Sequence, residues 1–231
     1  MFERLENLIG KENFKKLNSS NVLVLGIGGV GGYVATSLVR NGIGNITIVD
    51  FDKVEESNIN RQIIAYHSTL GLKKVQVLKS MLLDINSSVK ISVIDEFIDK
   101  DNINILFKEK YDYMIDCCDY IETKKAFILN CINKNINFIS SMGTANKLNP
   151  KSFEIIDIRK TSYDPIAKIL RNWVKKENID SDIFVLCSNE PPIKNRHLGT
   201  NAIMPSIAGL LISDYVIKRI MARGSINEKE N

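Results

Sequence analysis

The segment Ser57-Asn-Ile-Asn-Arg-Gln62 combines side chains that can act on a phosphate group. Arg61 in this segment and Lys74 downstream carry positive charges, and the asparagine and glutamine side chains carry amide donors. Displacement at a phosphorus atom develops charge on the surrounding oxygens, which fixed donors and cations stabilise. The cluster therefore favours chemistry on a phosphate over phosphate binding alone.

A glycine loop precedes this cluster. The run Gly26-Ile-Gly-Gly-Val-Gly31 follows the apolar segment 22–25, which is typical of a buried strand. Glycines let the backbone approach a phosphate closely, and the N-terminus of a following helix favours negative charge. The candidate nucleotide-binding glycines are Gly26, Gly28, Gly29 and Gly31.

Asp50 ends the next apolar segment, 45–49, and Asp52 follows it. An acid about 20 residues after a glycine loop is typical of a dinucleotide-type fold, where its carboxylate accepts hydrogen bonds from ribose hydroxyls. NAD would satisfy these features as well as ATP. Hydride transfer requires no charge stabilisation at phosphorus, so Arg61 and Lys74 favour ATP.

The elements that must position these side chains alternate along the chain. Predicted strands cover residues 22–25, 45–49, 89–94, 113–115 and 138–141, and predicted helices cover 33–40, 72–85, 102–107 and 122–133. This alternation predicts an α/β, Rossmann-like, doubly wound and mainly parallel sheet. Ligands of such sheets bind at the carboxyl ends of the strands.

The pattern changes after Asn149-Pro150. Strands are predicted over 153–158 and 183–186, an amphipathic helix around 166–174, and a last apolar helix over 203–220, which extend the sheet. We expect one domain over 1–222, with a nucleotide-binding half (1–150) and a substrate and dimer half (151–222), followed by a flexible tail (223–231).

Asp119 is the candidate magnesium ligand. It follows the predicted strand 113–115, at the ligand edge of the sheet, and Mg²⁺ bound to phosphates takes one or two protein carboxylates. Asp116 is the competing candidate. We prefer Asp119, because Asp116 is expected to be the last residue of the strand itself.

Composition restricts the class of protein further. The 231 residues contain four cysteines and two histidines without a C-x-x-C pair, so no zinc site is expected. No apolar run approaches the roughly 18 residues of a membrane span, and the N-terminus has no secretory pattern. We expect a cytoplasmic protein without membrane contact and with mostly buried thiols, Cys187 being a weak candidate for a catalytic one.

Five motifs together resemble the adenylating domain of ubiquitin-activating enzymes and of the bacterial ThiF/MoeB-type enzymes that activate sulfur-carrier proteins. They are the glycine loop, Asp50-Phe-Asp52, the segment 57–62, Gly71-Leu-Lys-Lys-Val75 and Asp116-Cys-Cys-Asp119. Within this superfamily the segments 140–150, 157–161 and 164–168 resemble the tRNA threonylcarbamoyladenosine dehydratases. The similarity runs from about Arg4 to Ile220.

The resemblance implies an activity and its cofactors. Family members activate the threonine carboxylate of threonylcarbamoyladenosine, beside the anticodon of a tRNA, with ATP and Mg²⁺, and close it into a ring with net loss of water. It also implies a homodimer in which Arg4 reaches the neighbour's triphosphate. The resemblance also implies contacts with ATP or its magnesium, made by Gly29, Asp50, Asp52, Asn58, Arg61, Gln62, Lys74 and Asp119. The catalytic candidates are Arg61, Lys74, Asp119 and Arg4. The ATP-binding candidates are Gly26, Gly28, Gly29, Gly31, Asp50, Asp52, Ser57, Asn58, Asn60 and Gln62.

Basic side chains in the C-terminal half are candidates for tRNA binding. Clustered positive charge suits RNA phosphates, although such a run is also typical of a solvated helix face. The residues are Arg159, Lys160, Lys168, Arg171 and Lys175.

Two other functions stay open. The chain could adenylate the C-terminus of a ubiquitin-like sulfur-carrier protein, although its relatives with that function often carry two C-x-x-C zinc pairs. It could also be an NAD-binding oxidoreductase or a nucleotide sensor, against which Arg61 and Lys74 argue. A sulfur-relay protein is a further candidate partner.

Overall fold

The computed structural model describes residues 1–194 and 196–223. Seven strands and seven α-helices alternate over most of the described chain. In order they are α1 (Glu3–Ile9), α2 (Lys11–Ser19), β1 (Asn21–Leu25), α3 (Gly31–Arg40), β2 (Asn45–Val49), α4 (Lys74–Ile85), β3 (Lys90–Ile94), β4 (Tyr113–Asp116), α5 (Ile121–Asn133), β5 (Phe138–Ser141), β6 (Phe153–Asp157), α6 (Pro165–Lys176), β7 (Phe184–Ser188) and α7 (Ile203–Met221).

The strands form one sheet in the order β3-β2-β1-β4-β5-β7-β6. All neighbouring strands are parallel except β6 and β7, which pair antiparallel. Parallel pairing places the carboxyl ends of β1, β2, β4, β5 and β7 along one edge. The prediction of a mainly parallel Rossmann-like sheet with a C-terminal extension is confirmed.

Helices cover both faces of the sheet because successive side chains of a strand point to opposite sides. Val22 and Val24 of β1 belong to a core that includes residues of α3, α4 and α7. Leu23 and Leu25 belong to a second core with α5 and α6. Central strands such as β1 are therefore buried on both sides, which explains their continuous apolar runs, whereas the edge strand β3 is partly exposed.

The structure differs from the sequence prediction at several boundaries. Helices α1 and α2 were not predicted, since they are short, largely polar and separated by Gly10. Helix α4 begins at Lys74, not at Leu72, because Lys73 forms an isolated antiparallel bridge with Lys53. Strand β4 ends at Asp116, one residue beyond the predicted range 113–115, and the expectation that Asp116 is the last residue of this strand is confirmed.

The sequence also predicts a C-terminal tail over residues 223–231 and no membrane contact. Arg223, the first residue of the predicted tail, still donates hydrogen bonds to the side chain and carbonyl of Asp112. Residues 224–231, which make up the rest of that prediction, lie outside the described residues. Among the helices of the described segments, none combines the length and apolar character needed to cross a membrane.

Candidate active site

A cavity of about 760 Å³ opens at the carboxyl edge of the sheet. It brings together residues from the ends of β1, β2, β4 and β5 and from the loop before α4. Ten predicted site residues line it: Gly26, Gly28, Gly29, Asp50, Asp52, Asn58, Arg61, Gln62, Lys74 and Asp119.

Asp50 holds the glycine loop against the end of β2. One carboxylate oxygen accepts a hydrogen bond from the Ile27 amide at 2.6 Å, and the other accepts one from the Asp52 amide at 2.9 Å. A carboxylate has about four acceptor positions, so both oxygens can still accept from a ligand hydroxyl. Asp50 thus shapes the loop and lines the cavity.

Gly31 does not line the cavity, although it was predicted to bind nucleotide. A Cβ atom at this position would lie 1.8 Å from the carbonyl oxygen of Gly26. Gly31 therefore allows α3 to begin directly against the loop, and its role is to shape the loop.

Ser57 and Asn60 also lie outside the cavity lining. The Arg61 guanidinium donates to the Ser57 carbonyl at 2.7 Å and to Asn60 Oδ1 at 3.0 Å. The Asn60 amide in turn donates to the Thr200 carbonyl at 3.2 Å. These two residues orient Arg61 and connect it to the loop before α7.

Lys74 is the first residue of α4 and is 5% exposed. Its ammonium lies 2.7 Å from the Asp52 carboxylate. The Asp52 carbonyl also accepts a hydrogen bond from the Lys74 amide at 3.0 Å. Backbone and side chain together fix this cation in the cavity wall.

Gln62 has an unsatisfied acceptor. Within the described part of the chain, its Oε1 is the single buried side-chain N or O atom that has no hydrogen-bond partner. A buried polar atom without a partner costs roughly 1–3 kcal/mol. A ligand in the cavity can supply the missing hydrogen bond.

Asp116 and Asp119 have different environments. Asp116 is fully buried and accepts hydrogen bonds from Lys124 at 2.9 Å and from Ser140 at 2.5 Å. Its other oxygen accepts from the Cys118 amide at 3.0 Å, which shapes the turn that carries Asp119. Asp119 is exposed and lines the cavity, so of these two carboxylates it is the one that is accessible to a ligand in the cavity.

Sequence reasoning missed part of the cavity wall. An aromatic group of Phe51, Phe97 and Tyr120 lies at the nucleotide side, with Phe97 packed edge-on against both others. Isolated aromatic residues carry no spacing signal. An aspartate followed by proline, as in Asp164-Pro165, is a local sequence signal, but it indicates the start of a helix. In the structure the Asp164 carboxylate accepts a hydrogen bond from the Ala167 amide at the start of α6.

The predicted tRNA-binding residues lie on α6 and on the turn between β6 and α6. Arg159 is held by Asp157 at 2.7 Å and by two backbone carbonyls, and Arg171 donates to Thr161 Oγ1 at 2.6 Å. Lys160, Lys168 and Lys175 are exposed. The two arginines therefore already have structural partners.

Cys187 is buried in β7 and packs in the second core. Burial, and to a smaller extent the nearby Asp164 carboxylate, raises the pKa of its thiol to about 12. A thiol with this pKa is almost entirely protonated at neutral pH and is a poor nucleophile. These properties favour packing over catalysis.

Comparison with known proteins gives a consistent result. Residues 2–231 match the ThiF family. The tRNA threonylcarbamoyladenosine dehydratase of Bacillus subtilis (strain 168) is 38% identical over 239 residues, covering 95% of this chain and 94% of the relative.

Solved structures of a second relative have the same fold. The Escherichia coli tRNA N6-threonylcarbamoyladenosine dehydratase, TcdA, in complex with ATP has a TM-score of 0.93 and 29% identity, covering 98% of this chain and 96% of that chain. The same enzyme in complex with AMP has a TM-score of 0.92 and 28% identity, covering 96% and 94%. The chain therefore belongs to the ThiF family and, within it, to the tRNA threonylcarbamoyladenosine dehydratases.

Proposed function

We propose that this protein catalyses the ATP-dependent cyclisation of threonylcarbamoyladenosine beside the anticodon of tRNA. The observation that carries the proposal is the convergence, in one cavity, of the glycine loop, the cations Arg61 and Lys74, and the loop after β5. The relatives named above carry the same activity in their names, over nearly the whole length of this chain.

ATP fits the nucleotide side of the cavity. Gly28 and Gly29 leave the backbone open to phosphates, Asp50 is available to the ribose hydroxyls, and Gln62 Oε1 lacks a partner. ATP is consumed in the reaction and is therefore a substrate. Arg61, Lys74 and Asn58 would stabilise charge on its phosphates.

Asp119 is the proposed ligand of Mg²⁺. No group of three His, Cys, Asp or Glu side chains that could hold a metal occurs among residues 1–194 and 196–223. Mg²⁺ bound to a triphosphate needs only one or two protein carboxylates and keeps several waters. When bound, the ion would neutralise phosphate charge.

The reaction has two steps. A carboxylate oxygen of the threonyl group attacks the α-phosphorus, the bond to the β-phosphate oxygen breaks, and pyrophosphate leaves. A nitrogen of the same side chain then attacks the activated carbonyl carbon. The bond from this carbon to the oxygen attached to phosphorus breaks, AMP leaves with that oxygen, and the nitrogen loses a proton. Orientation alone can contribute roughly 7–11 kcal/mol to such an intramolecular attack, so no side-chain nucleophile is required.

The tRNA surface is proposed on α6 and on the turn between β6 and α6. Lys160, Lys168 and Lys175 are exposed there, and Arg159 and Arg171 contribute charge although both have structural partners. Each lysine that contacts a phosphate would release about one counterion. Affinity for tRNA would then fall steeply with salt, and a triple Lys→Gln variant would show a shallower dependence.

The chain would act as a homodimer in the cytoplasm, with residues 1–150 forming the nucleotide-binding half and 151–222 the substrate and dimer half. Arg4 lies on α1 and does not line the cavity of its own chain, which agrees with a role at the neighbour's triphosphate.

Ile203 and Leu210 give α7 an exposed apolar surface that a second copy would cover. Sedimentation of Leu210→Glu, expected to be monomeric, tests this arrangement. A sulfur-relay partner stays a prediction.

AMP formation distinguishes the proposed substrate from the alternative. The purified protein is incubated with ATP, Mg²⁺ and one of three acceptors: tRNA with threonylcarbamoyladenosine, the same tRNA with unmodified adenosine, or a ubiquitin-like sulfur-carrier protein. AMP release with the modified tRNA alone supports the proposal. With the carrier protein, AMP would stay on its C-terminus as an acyl-adenylate, so pyrophosphate release with the carrier protein alone would replace the proposal with carrier activation.

A further inference from the structure

Three lysines of the described chain are less than a tenth exposed: Lys74, Lys124 and Lys147. Lys74 lies 2.7 Å from the carboxylate of Asp52, and Lys124 lies 2.9 Å from that of Asp116. Lys147 is 3% exposed, yet no carboxylate of a described residue lies within 4.0 Å of its ammonium. Burying a charge without a counter-charge is costly, so Lys147 requires an explanation.

The partners of Lys147 are neutral. Its ammonium donates to the Glu190 carbonyl at 2.8 Å and to the Ser188 carbonyl at 3.4 Å. The Glu190 carboxylate is occupied elsewhere, since it accepts from the amides of Leu148 and Asn149. An ammonium has three donors, and these contacts leave its charge without a neutralising partner.

The backbone around Lys147 is fixed on the cavity side. The Asn146 amide donates to the Gly199 carbonyl at 2.8 Å, and Asn146 Oδ1 accepts from the Gly199 amide at 2.7 Å. Asn146, Lys147 and Gly199 all line the cavity. The cation is therefore held in position before any ligand arrives.

Asp164 is the acid of the same cavity wall. Its carboxylate accepts from the Ala167 amide at 2.8 Å as the cap of α6, and it is 2% exposed. Burial raises the pKa of this carboxyl group, and the more distant Lys147 only partly opposes that effect. The Lys147 ammonium lies more than 4.0 Å from this carboxylate, so the two groups do not form a direct ion pair.

Lys147 lies on the substrate side of the cavity. It belongs to the loop after β5, and in the sheet order β4 separates β5 from β1, whose end carries the glycine loop. With neighbouring strands about 4.8 Å apart, the ends of β1 and β5 are roughly 10 Å apart. A nucleotide on the glycine loop leaves this end of the cavity to the acceptor.

We propose that Lys147 forms the subsite for the acceptor carboxylate, binding the threonyl carboxylate of the modified nucleoside before its activation. This inference rests on the proposed function, which supplies a substrate with one free carboxylate. One oxygen of that group would receive the remaining hydrogen bond of Lys147, and the other would stay free to attack phosphorus. Lys147 would thereby favour the threonylcarbamoyl nucleoside over unmodified adenosine.

The test measures the binding of three anticodon stem-loop RNAs to the full-length protein with AMP present. The RNAs carry threonylcarbamoyladenosine, its methyl ester, or unmodified adenosine, and the last two lack the negative charge. The wild type is expected to bind the first at least about tenfold more tightly than the others, the equivalent of about 1.4 kcal/mol. This comparison requires no variant, so it also holds if substitution of Lys147 impairs folding.

Variants then assign the preference to Lys147. Lys147→Met keeps the apolar stem and should bind all three RNAs alike, with its AMP affinity unchanged, and Lys147→Arg should restore part of the preference. Lys151→Met, at an exposed lysine four residues further on, is the matched control and should behave as the wild type.

Two results would overturn the subsite: equal binding of acid and methyl ester by the wild type, or a preference retained by Lys147→Met. If Lys147→Met retains the preference and also loses affinity for AMP or ATP, Lys147 is assigned to a phosphate. If the wild type still dehydrates the RNA, only the subsite fails. If it does not, the proposed function fails with it.

Discussion

The Lys74 ammonium lies 2.7 Å from the Asp52 carboxylate in a pair whose two members differ in burial: the Lys74 side chain is 7% exposed and that of Asp52 47%. Lys74 also begins α4, where the helix dipole disfavours positive charge. Asp52 offsets this cost from the solvent side. Lys74 therefore keeps a positive charge in the cavity wall although burial and the helix dipole both disfavour it. Such a cation is suited to bind an anion.

Replacement of Lys74 should separate catalysis from folding. Lys74→Met should lower turnover by at least about 10²-fold, because it removes a fixed charge at the phosphates. The free energy of unfolding should change by no more than about 1 kcal/mol, since Asp52 can be solvated. Lys73→Met is the matched control: Lys73 pairs with Asp95 in a more exposed position and should retain near-normal turnover. Equal losses in both variants would contradict the assignment.

Alanine substitutions of Arg61 and Asn60 should lower turnover by different amounts. Arg61→Ala should fold and lose at least about 10²-fold in turnover, because the guanidinium stabilises charge on the displaced phosphate. Asn60→Ala removes only one of the two acceptors that orient Arg61, so a loss of about tenfold or less is expected. Steady-state AMP release measures both. Near-normal turnover of Arg61→Ala would reject its role.

Two glycines of the loop should respond differently to alanine. In Gly31→Ala the new Cβ would overlap the Gly26 carbonyl, so the free energy of unfolding should drop by at least about 2 kcal/mol. In Gly28→Ala the new Cβ would point into open space, with Gln62 Nε2 the nearest atom at 4.0 Å, so this variant should fold normally. Its ATP affinity should fall about tenfold, because the methyl group occupies the nucleotide side. Urea unfolding and ATP titration distinguish these outcomes, and a reversed pattern would contradict the account of the loop.

Cys187 should be chemically inert and dispensable. With a pKa of about 12, only about one thiol in 10⁴ is ionised at pH 8, so alkylation should be slow and should accelerate as the pH rises toward 12. Cys187→Ala should keep turnover within about threefold. Rapid alkylation at pH 8, or a loss of about 10³-fold, would assign a catalytic role to this thiol.

The nucleotide side was predictable from sequence because its residues occur in short motifs at strand ends. The run from Gly26 to Gly31, Asp50, and the segment with Arg61 each follow or precede a recognisable element, and the sheet rule then places them on one edge. Even there the sequence could not separate Gly31 and Asn60, which shape the site, from the residues that line it. That distinction depends on distances of a few ångströms.

The substrate side was not predictable residue by residue. Lys147 lies in an irregular loop. Its ammonium is bound by the Glu190 carbonyl and its neighbour Asn146 by Gly199, both more than 40 positions away along the chain. The burial of Asp116 with Lys124 is another long-range outcome, since Ser140 completes the pair from β5. Local patterns carry no information about such partners.

The mass of the modified nucleoside tests the central claim most directly. Purified protein is incubated with ATP, Mg²⁺ and tRNA bearing threonylcarbamoyladenosine, and the tRNA is digested to nucleosides under mild conditions for mass spectrometry. The account predicts loss of one water from that nucleoside, dependent on ATP and on Arg61. An unchanged nucleoside mass, with a preparation that binds ATP and folds normally, would contradict it.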